Sequence, residues 1–194
     1  MGLAVLVLGL VVFIGAHGLT MARGARAACA GRIGEIPYKI VYSLVSLVGI
    51  VLIAWGYGRY RADGFIDIWH PPAFIRHVTV ALMWPSIVMI AAAYSPGRIK
   101  TALKHPMLAG VKLWAFAHLL VNGDLGSIVL FGAILAWAVA DRISLKRRTD
   151  PGAPPIPVGG WKNDAVAVIA GTLVYLALGF VFHPLVIGVA AFSP

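Results

Sequence analysis

The side chains best able to do chemistry are concentrated in one stretch, HPMLAGVKLWAFAHLLVNGD, at positions 105–124. It carries two histidines, a lysine, an asparagine and an aspartate among apolar residues. Trp114, His118 and Asn122 are spaced four residues apart, so on an α-helix they share one face. Neutral imidazole is the commonest metal ligand among side chains. This spacing predicts that His118 either binds a ligand or is a buried histidine that hydrogen-bonds to a neighbouring helix.

Other apolar segments carry similar stripes of polar and small residues. Such groups are costly in lipid and normally face the interior of a helix bundle. We therefore expect an interior lined by these residues, with close helix approach and room for a planar or polar ligand. The stripes are Gly9, Phe13 and His17; Tyr38, Tyr42, Ser46 and Gly49; and Tyr175, Gly179 and His183.

The composition indicates a membrane protein, because 60% of the 194 residues are hydrophobic and only 12% are charged. A bilayer core of about 30 Å requires roughly 20 apolar residues per helix. The sequence predicts an all-α integral membrane protein, a bundle of about six transmembrane helices that forms a single domain over residues 1–194. The predicted segments are Gly2 to Met21, Pro37 to Tyr57, Pro71 to Tyr94, Pro106 to Val121, Leu125 to Ala140 and Asp164 to Phe192. The last contains His183-Pro184, where we expect a kink.

The basic residues are distributed unevenly between the connecting segments, twelve after odd-numbered helices and three after even-numbered ones. By the positive-inside rule, both termini are then extracytoplasmic. This alternation explains the net charge of +9 as a topological signal and an attraction to anionic lipid, so we expect no nucleic-acid partner. The twelve are Arg23, Arg26, Arg32, Lys39, Arg98, Lys100, Lys104, Arg142, Lys146, Arg147, Arg148 and Lys162; the three are Arg59, Arg61 and Arg76.

Several familiar kinds of chemistry are excluded. Cys29 is the single cysteine, so no disulfide can form within the chain. The sequence also lacks CxxC, CxxCH, Walker and GxSxG motifs. Histidine remains the main source of reactive groups.

The run KHPMLAGVKLWAFAHLLVNGDLGSIVLFGAILAW, together with GAHGLTMAR at the end of the first segment, resembles the NnrU family of bacterial membrane proteins. That family is related to the plant and cyanobacterial cis-zeta-carotene isomerase, and the likeness covers essentially the whole chain. The resemblance implies a haem b protein of the bacterial inner membrane in which two intramembrane histidines bind the iron. Carried over to this sequence, they are His17 and His118. The isomerase has a cysteine one turn before the second histidine, and Ala115 occupies that position here.

Helix depth favours other pairs as well. With straight helices, His17 lies nearer the cytoplasm and His118 nearer the outside, whereas two axial ligands must meet at one iron. His77 and His183, at the outer depth, are the alternative partners for His118. We interpret His105 as a helix-start residue. We expect Lys112 either to extend toward the cytoplasm or to meet an anionic group such as a haem propionate.

The resemblance implies either a haem-dependent cis–trans isomerase of a hydrophobic polyene or a redox or nitric-oxide-linked factor. A factor of the second kind would support nitrite or nitric oxide reductase during denitrification. Two alternatives without a cofactor are a small membrane carrier and a scaffold for respiratory complex assembly. A carrier would use Lys112, Asp124, the histidines and the broken last helix.

Overall fold

The chain folds into helices, as seen in a computed structural model that describes residues 1–148 and 159–192. Eight α-helices and one π-helix are present in these ranges. They are α1 (Gly2–Met21), α2 (Arg23–Ile33), α3 (Glu35–Asp63), α4 (Ile75–Ala92), α5 (Arg98–Leu103), α6 (Pro106–Val121), α7 (Leu125–Arg147), α8 (Trp161–Ala177) and the π-helix (Leu178–Ile187). The all-α prediction is thus confirmed.

Five helical segments are long and apolar enough to cross a membrane: Gly2–Met21, Glu35–Asp63, Ile75–Ala92, Leu125–Arg147 and Trp161–Ile187. A sixth apolar helix, Pro106–Val121, has 16 residues. Its start also agrees with the sequence, because His105 occupies the N-cap position and Pro106 lies in the first turn. Each of the six predicted segments therefore contains an apolar helix, and the last of these helices ends at Ile187 rather than at Phe192.

The basic segment after α1 is helical rather than an open connection. Its alanines favour a helix, and α2 runs from Arg23 to Ile33. The end of this segment is held by charge, since Arg26 and Lys39 lie 2.6 and 3.4 Å from a carboxylate oxygen of Glu35. These exposed pairs contribute little stability. The boundary between α2 and α3 lies at Gly34, whose φ of 92° suits glycine.

The chain divides into two compact units. Unit 1 comprises Met1–His70 and Gly123–Ser144, and unit 2 comprises Pro71–Asn122 and Leu145–Pro194. The single domain over residues 1–194 stays a prediction.

In unit 1, α1 and α3 pack antiparallel through glycines. A Cβ atom on Gly9 would lie 2.6 Å from the backbone nitrogen of Ile53, and one on Gly49 would lie 2.8 Å from the Cβ of Phe13. The backbones approach closely because these residues have no side chain. The predicted stripes on the first two segments, which contain Gly9 and Gly49, therefore do face each other.

The start of α7 is also part of unit 1. The Asp124 carboxylate accepts a hydrogen bond of 2.9 Å from the backbone N–H of Ser127 and so caps the helix. Backbone bonds join this turn to the segment after α3, from the Leu125 N–H to Ile66 O at 2.8 Å and from the Ile68 N–H to Gly123 O at 2.9 Å. Asp124 is buried, with 8% of its surface exposed.

Replacing Asp124 by alanine should destabilise the protein by about 1 kcal/mol, because the first turn of α7 loses its cap. Asp124→Asn keeps a side-chain acceptor and should cost less. Reversible unfolding in mixed micelles measures the difference, and hydrogen exchange at the Ser127 amide localises it. Equal stability of the alanine variant and the wild type would contradict this role.

In unit 2, α4 lies between α6 and α8. The Ser86 hydroxyl donates to Gly110 O at 2.8 Å and the Thr79 hydroxyl to Ala117 O at 3.1 Å, which joins α4 to α6. On the other side, the Trp84 indole N–H donates to the Thr172 hydroxyl at 3.0 Å. These bonds fix the position of α6, the helix that carries His118.

The last apolar segment changes its winding where the sequence predicts a kink. The α-helical part ends at Ala177, and residues Leu178–Ile187, which include Pro184, form the π-helix. Pro184 has no N–H to donate and disfavours α conformation at His183. The helix widens here and ends at Gly188, whose φ of 75° suits glycine.

Candidate functional site

The predicted face of α6 is present. His118 Nδ1 lies 2.9 Å from Trp114 O, and the two rings are 5.1 Å apart between centroids. The Asn122 amide donates to His118 O at 2.8 Å. The three residues thus form one continuous stripe in the last two turns of the helix, and Asn122 secures the helix end beside the histidine.

His183 meets His118 within unit 2. The ring centroids are 6.3 Å apart, and the ring planes differ by only 25°. The last apolar segment therefore brings a second imidazole to the stripe on α6. Of the two alternative partners that helix depth suggests, His183 faces His118, whereas His77 is exposed.

His17 lies in unit 1, in an aromatic cluster. Its ring centroid is 4.2 Å from Phe13, 5.4 Å from Tyr42 and 5.1 Å from Trp137. Phe13 and Tyr42 are members of the predicted stripes, whereas Trp137 on α7 was missed. The sequence does show a tryptophan at this position of an apolar segment. Because α7 carries no histidine, the segment was not predicted to contribute to a site.

Two polar atoms near His17 are buried without a hydrogen-bond partner among the residues that the structure describes. They are Trp137 Nε1 and the hydroxyl of Tyr38, whose ring lies 6.5 Å from that of Tyr42. Buried donors of this kind usually have partners. The His17 cluster therefore has polar capacity for a ligand group that accepts hydrogen bonds.

One hydrogen-bonding arrangement is common to three of the four histidines that lie on helices. Each Nδ1 faces a main-chain carbonyl: Phe13 O at 2.8 Å from His17, Trp114 O at 2.9 Å from His118, and Leu178 O at 2.9 Å from His183. A carbonyl can only accept, so each Nδ1 carries the proton. In the neutral ring the lone pair is then on Nε2, which is the state of a metal-binding histidine held by an outer hydrogen bond.

The donor set suits a haem better than a bare metal ion. Structural and catalytic metal ions usually take three or four protein ligands. Across residues 1–148 and 159–192, no group of three histidine, cysteine or acidic side chains is close enough to hold one. A haem supplies its own ring nitrogens and needs only axial ligands, so one or two imidazoles on apolar helices fit it.

The other residues that the sequence singles out for the site are Lys112, Ala115 and His17. Lys112 is half-buried on α6, six residues before His118, which places it about 120° away around the helix. Ala115 is fully buried, with 0% exposed, and has no metal-binding atom. His17 and His118 belong to separate units, so their pairing on one iron stays a prediction.

The helices and the histidines together define a class, a helical membrane protein with imidazoles on apolar helices. The chain belongs to the NnrU family, since the family model described as NnrU protein matches residues 5–191, nearly the whole chain. The resemblance seen in the sequence is thereby confirmed. Neither a curated protein nor a solved structure matches the chain significantly.

Proposed function

We propose that this NnrU-family membrane protein binds haem b and that His118 is one of the axial ligands of the iron. The observation that carries the proposal is the hydrogen bond from His118 Nδ1 to Trp114 O, 2.9 Å long. It directs the lone pair to Nε2 and holds the ring on an apolar helix. The likeness to a haem-dependent isomerase supports the same assignment.

Neighbouring residues would hold His118 in place. Ala115 and Ala117 are fully buried, with 0% exposed, so α6 can lie close to its neighbours. Thr79 donates to Ala117 O, the carbonyl immediately before His118, and Asn122 donates to that of His118 itself. The bond from Thr79 joins α6 to α4 and restricts rotation of α6 about its axis, which sets the direction of the imidazole. The bond from Asn122 lies within α6 and secures its last turn.

Haem b, when bound, supplies an iron centre that moves between ferric and ferrous states and can accept an exogenous ligand. The protein would supply the axial imidazole, an apolar environment and a barrier to water. Such a centre suits cis–trans isomerisation of a hydrophobic polyene, and it also suits a redox or nitric-oxide-linked role beside nitrite or nitric oxide reductase. We place the protein in the bacterial inner membrane, with both termini extracytoplasmic.

The test is the visible absorption spectrum of protein purified in mild detergent from haem-replete cells, oxidised and then reduced with dithionite. We expect an intense Soret band and sharp reduced bands from the wild type. His118→Ala should lower the haem content about tenfold or more, because loss of a first ligand costs at least as much as loss of an outer partner.

His77→Ala is the matched control, because His77 is an exposed histidine of the same unit. It should keep the wild-type haem content and spectrum. A wild-type protein that folds, elutes as a single species and shows no haem band would overturn the proposal. Solute flux in vesicles would then favour a carrier, and a stable copurifying partner would favour a scaffold.

A further inference from the structure

We infer that His183 is the second imidazole on the iron bound by His118. The inference rests on the proposed haem function and assigns the ligand that this proposal leaves open. It departs from the pairing with His17 that the resemblance implies. Both ligands would then belong to unit 2, one on α6 and one on the π-helix.

The spacing of the two rings suits a shared metal. A metal–imidazole nitrogen bond is about 2 Å long. Because each ring nitrogen lies roughly 1 Å from its own ring centre, two imidazoles on opposite sides of one ion have centroids about 6 Å apart. The centroids of His118 and His183 are 6.3 Å apart. The distance between the two rings therefore matches that of two imidazoles bound to one iron.

Both rings are in the same chemical state. His183 Nδ1 lies 2.9 Å from Leu178 O, as His118 Nδ1 lies 2.9 Å from Trp114 O. In each neutral ring the lone pair is therefore on Nε2, the nitrogen farther from the backbone. Had they simply formed a hydrogen-bonded pair, one ring would have to offer an N–H to the other.

The backbone around His183 has an uncommon form that positions the side chain. A π-helix is rare, and π-bulges are frequent at functional sites. The wider turn places the carbonyl of Leu178, five residues back, beside the histidine ring. Pro184 disturbs regular α geometry at this point, and Gly188 ends the π-helix.

The far end of the π-helix is also fixed. His183 O accepts the backbone N–H of Gly188 and that of Val189, the latter at 3.2 Å. Beyond it, the Arg76 guanidinium donates to Ala190 O, which ties this end to the start of α4. His183 therefore sits between two anchored points, as expected for a preorganised ligand.

The experiment compares His183→Gly and His17→Gly by absorption and electron paramagnetic resonance, with His77→Gly as the control for an exposed histidine. Electron paramagnetic resonance separates ferric haem with two imidazoles, which is low-spin, from haem with one, which is high-spin. We expect His183→Gly to give a high-spin spectrum. Free imidazole should restore the low-spin form, because the space left by the side chain accepts it. His17→Gly and His77→Gly should remain low-spin.

His183→Met covers the case in which the glycine variant folds poorly. It retains a side chain able to bind iron through sulfur, and methionine ligation raises the reduction potential of haem. We expect a raised midpoint potential and shifted reduced bands; an unchanged potential and spectrum would overturn the inference. So would a His183→Gly protein that stays low-spin while His17→Gly becomes high-spin. A wild-type protein without haem would instead refute the proposed function.

Discussion

A Gly56→Leu substitution is expected to force α1 away from α3 and to remove most of the stability of unit 1. A Cβ atom at Gly56 would lie 2.3 Å from the backbone nitrogen of Leu6 and 2.7 Å from its Cα. Leu6 is fully buried, with 0% exposed. Because these atoms belong to the backbone of α1, a rotamer change cannot relieve the overlap, and the helix itself must move.

We expect a loss of about 3 kcal/mol or more, at or above the upper end of the usual cost of overpacking. The measurement is reversible unfolding in mixed micelles, followed by circular dichroism and by tryptophan fluorescence. Gly58→Leu, on the same helix, is the control because nothing lies within 4 Å of a Cβ at that position. Its free energy of unfolding should change by no more than about 0.5 kcal/mol. Similar losses in both variants would mean that α1 and α3 do not pack through Gly56.

Sequence spacing was sufficient to predict the six apolar helices and the stripe on α6. Trp114, His118 and Asn122 are close because a helix of 3.6 residues per turn brings positions four apart together. The same rule placed Gly9, Phe13 and His17 on one face of α1. These features follow from local geometry, which the sequence contains directly.

Features that depend on nonlocal contacts could not be predicted in this way. The neighbours of His17 come from three helices, and nothing in the spacing indicates that Trp137 is one of them. The sequence predicted that His118 and His183 lie at the same depth in the membrane. It could not predict that their rings face each other, because depth does not determine how each helix is rotated about its axis. The π-helix was seen only as an expected kink, since proline marks a disturbance of the helix without specifying its form.

The position of α6 can be tested by a second glycine, Gly110, where substitution should affect both stability and the haem site. A Cβ atom there would lie 2.7 Å from Ser86 O and 2.6 Å from Ile90 Cγ1. The Ile90 side chain can rotate, but the carbonyl of Ser86 belongs to α4. Gly110→Leu must therefore separate α6 from α4 and strain the hydrogen bond from the Ser86 hydroxyl to Gly110 O, 2.8 Å long.

The expected loss for Gly110→Leu is about 2 to 3 kcal/mol from overpacking. Ser86→Ala removes only the hydrogen bond and should cost about 1 kcal/mol or less. Phe116→Leu is the control, because Phe116 is on the same helix with 45% of its surface exposed. It should change little in stability or spectrum.

Since α6 carries His118 as well as Gly110, we expect Gly110→Leu to alter the haem spectrum too. A Gly110→Leu protein as stable as Phe116→Leu would contradict the packing of α6 on α4. A large loss of stability with an unaltered haem spectrum would instead show that the position of α6 does not control the iron site.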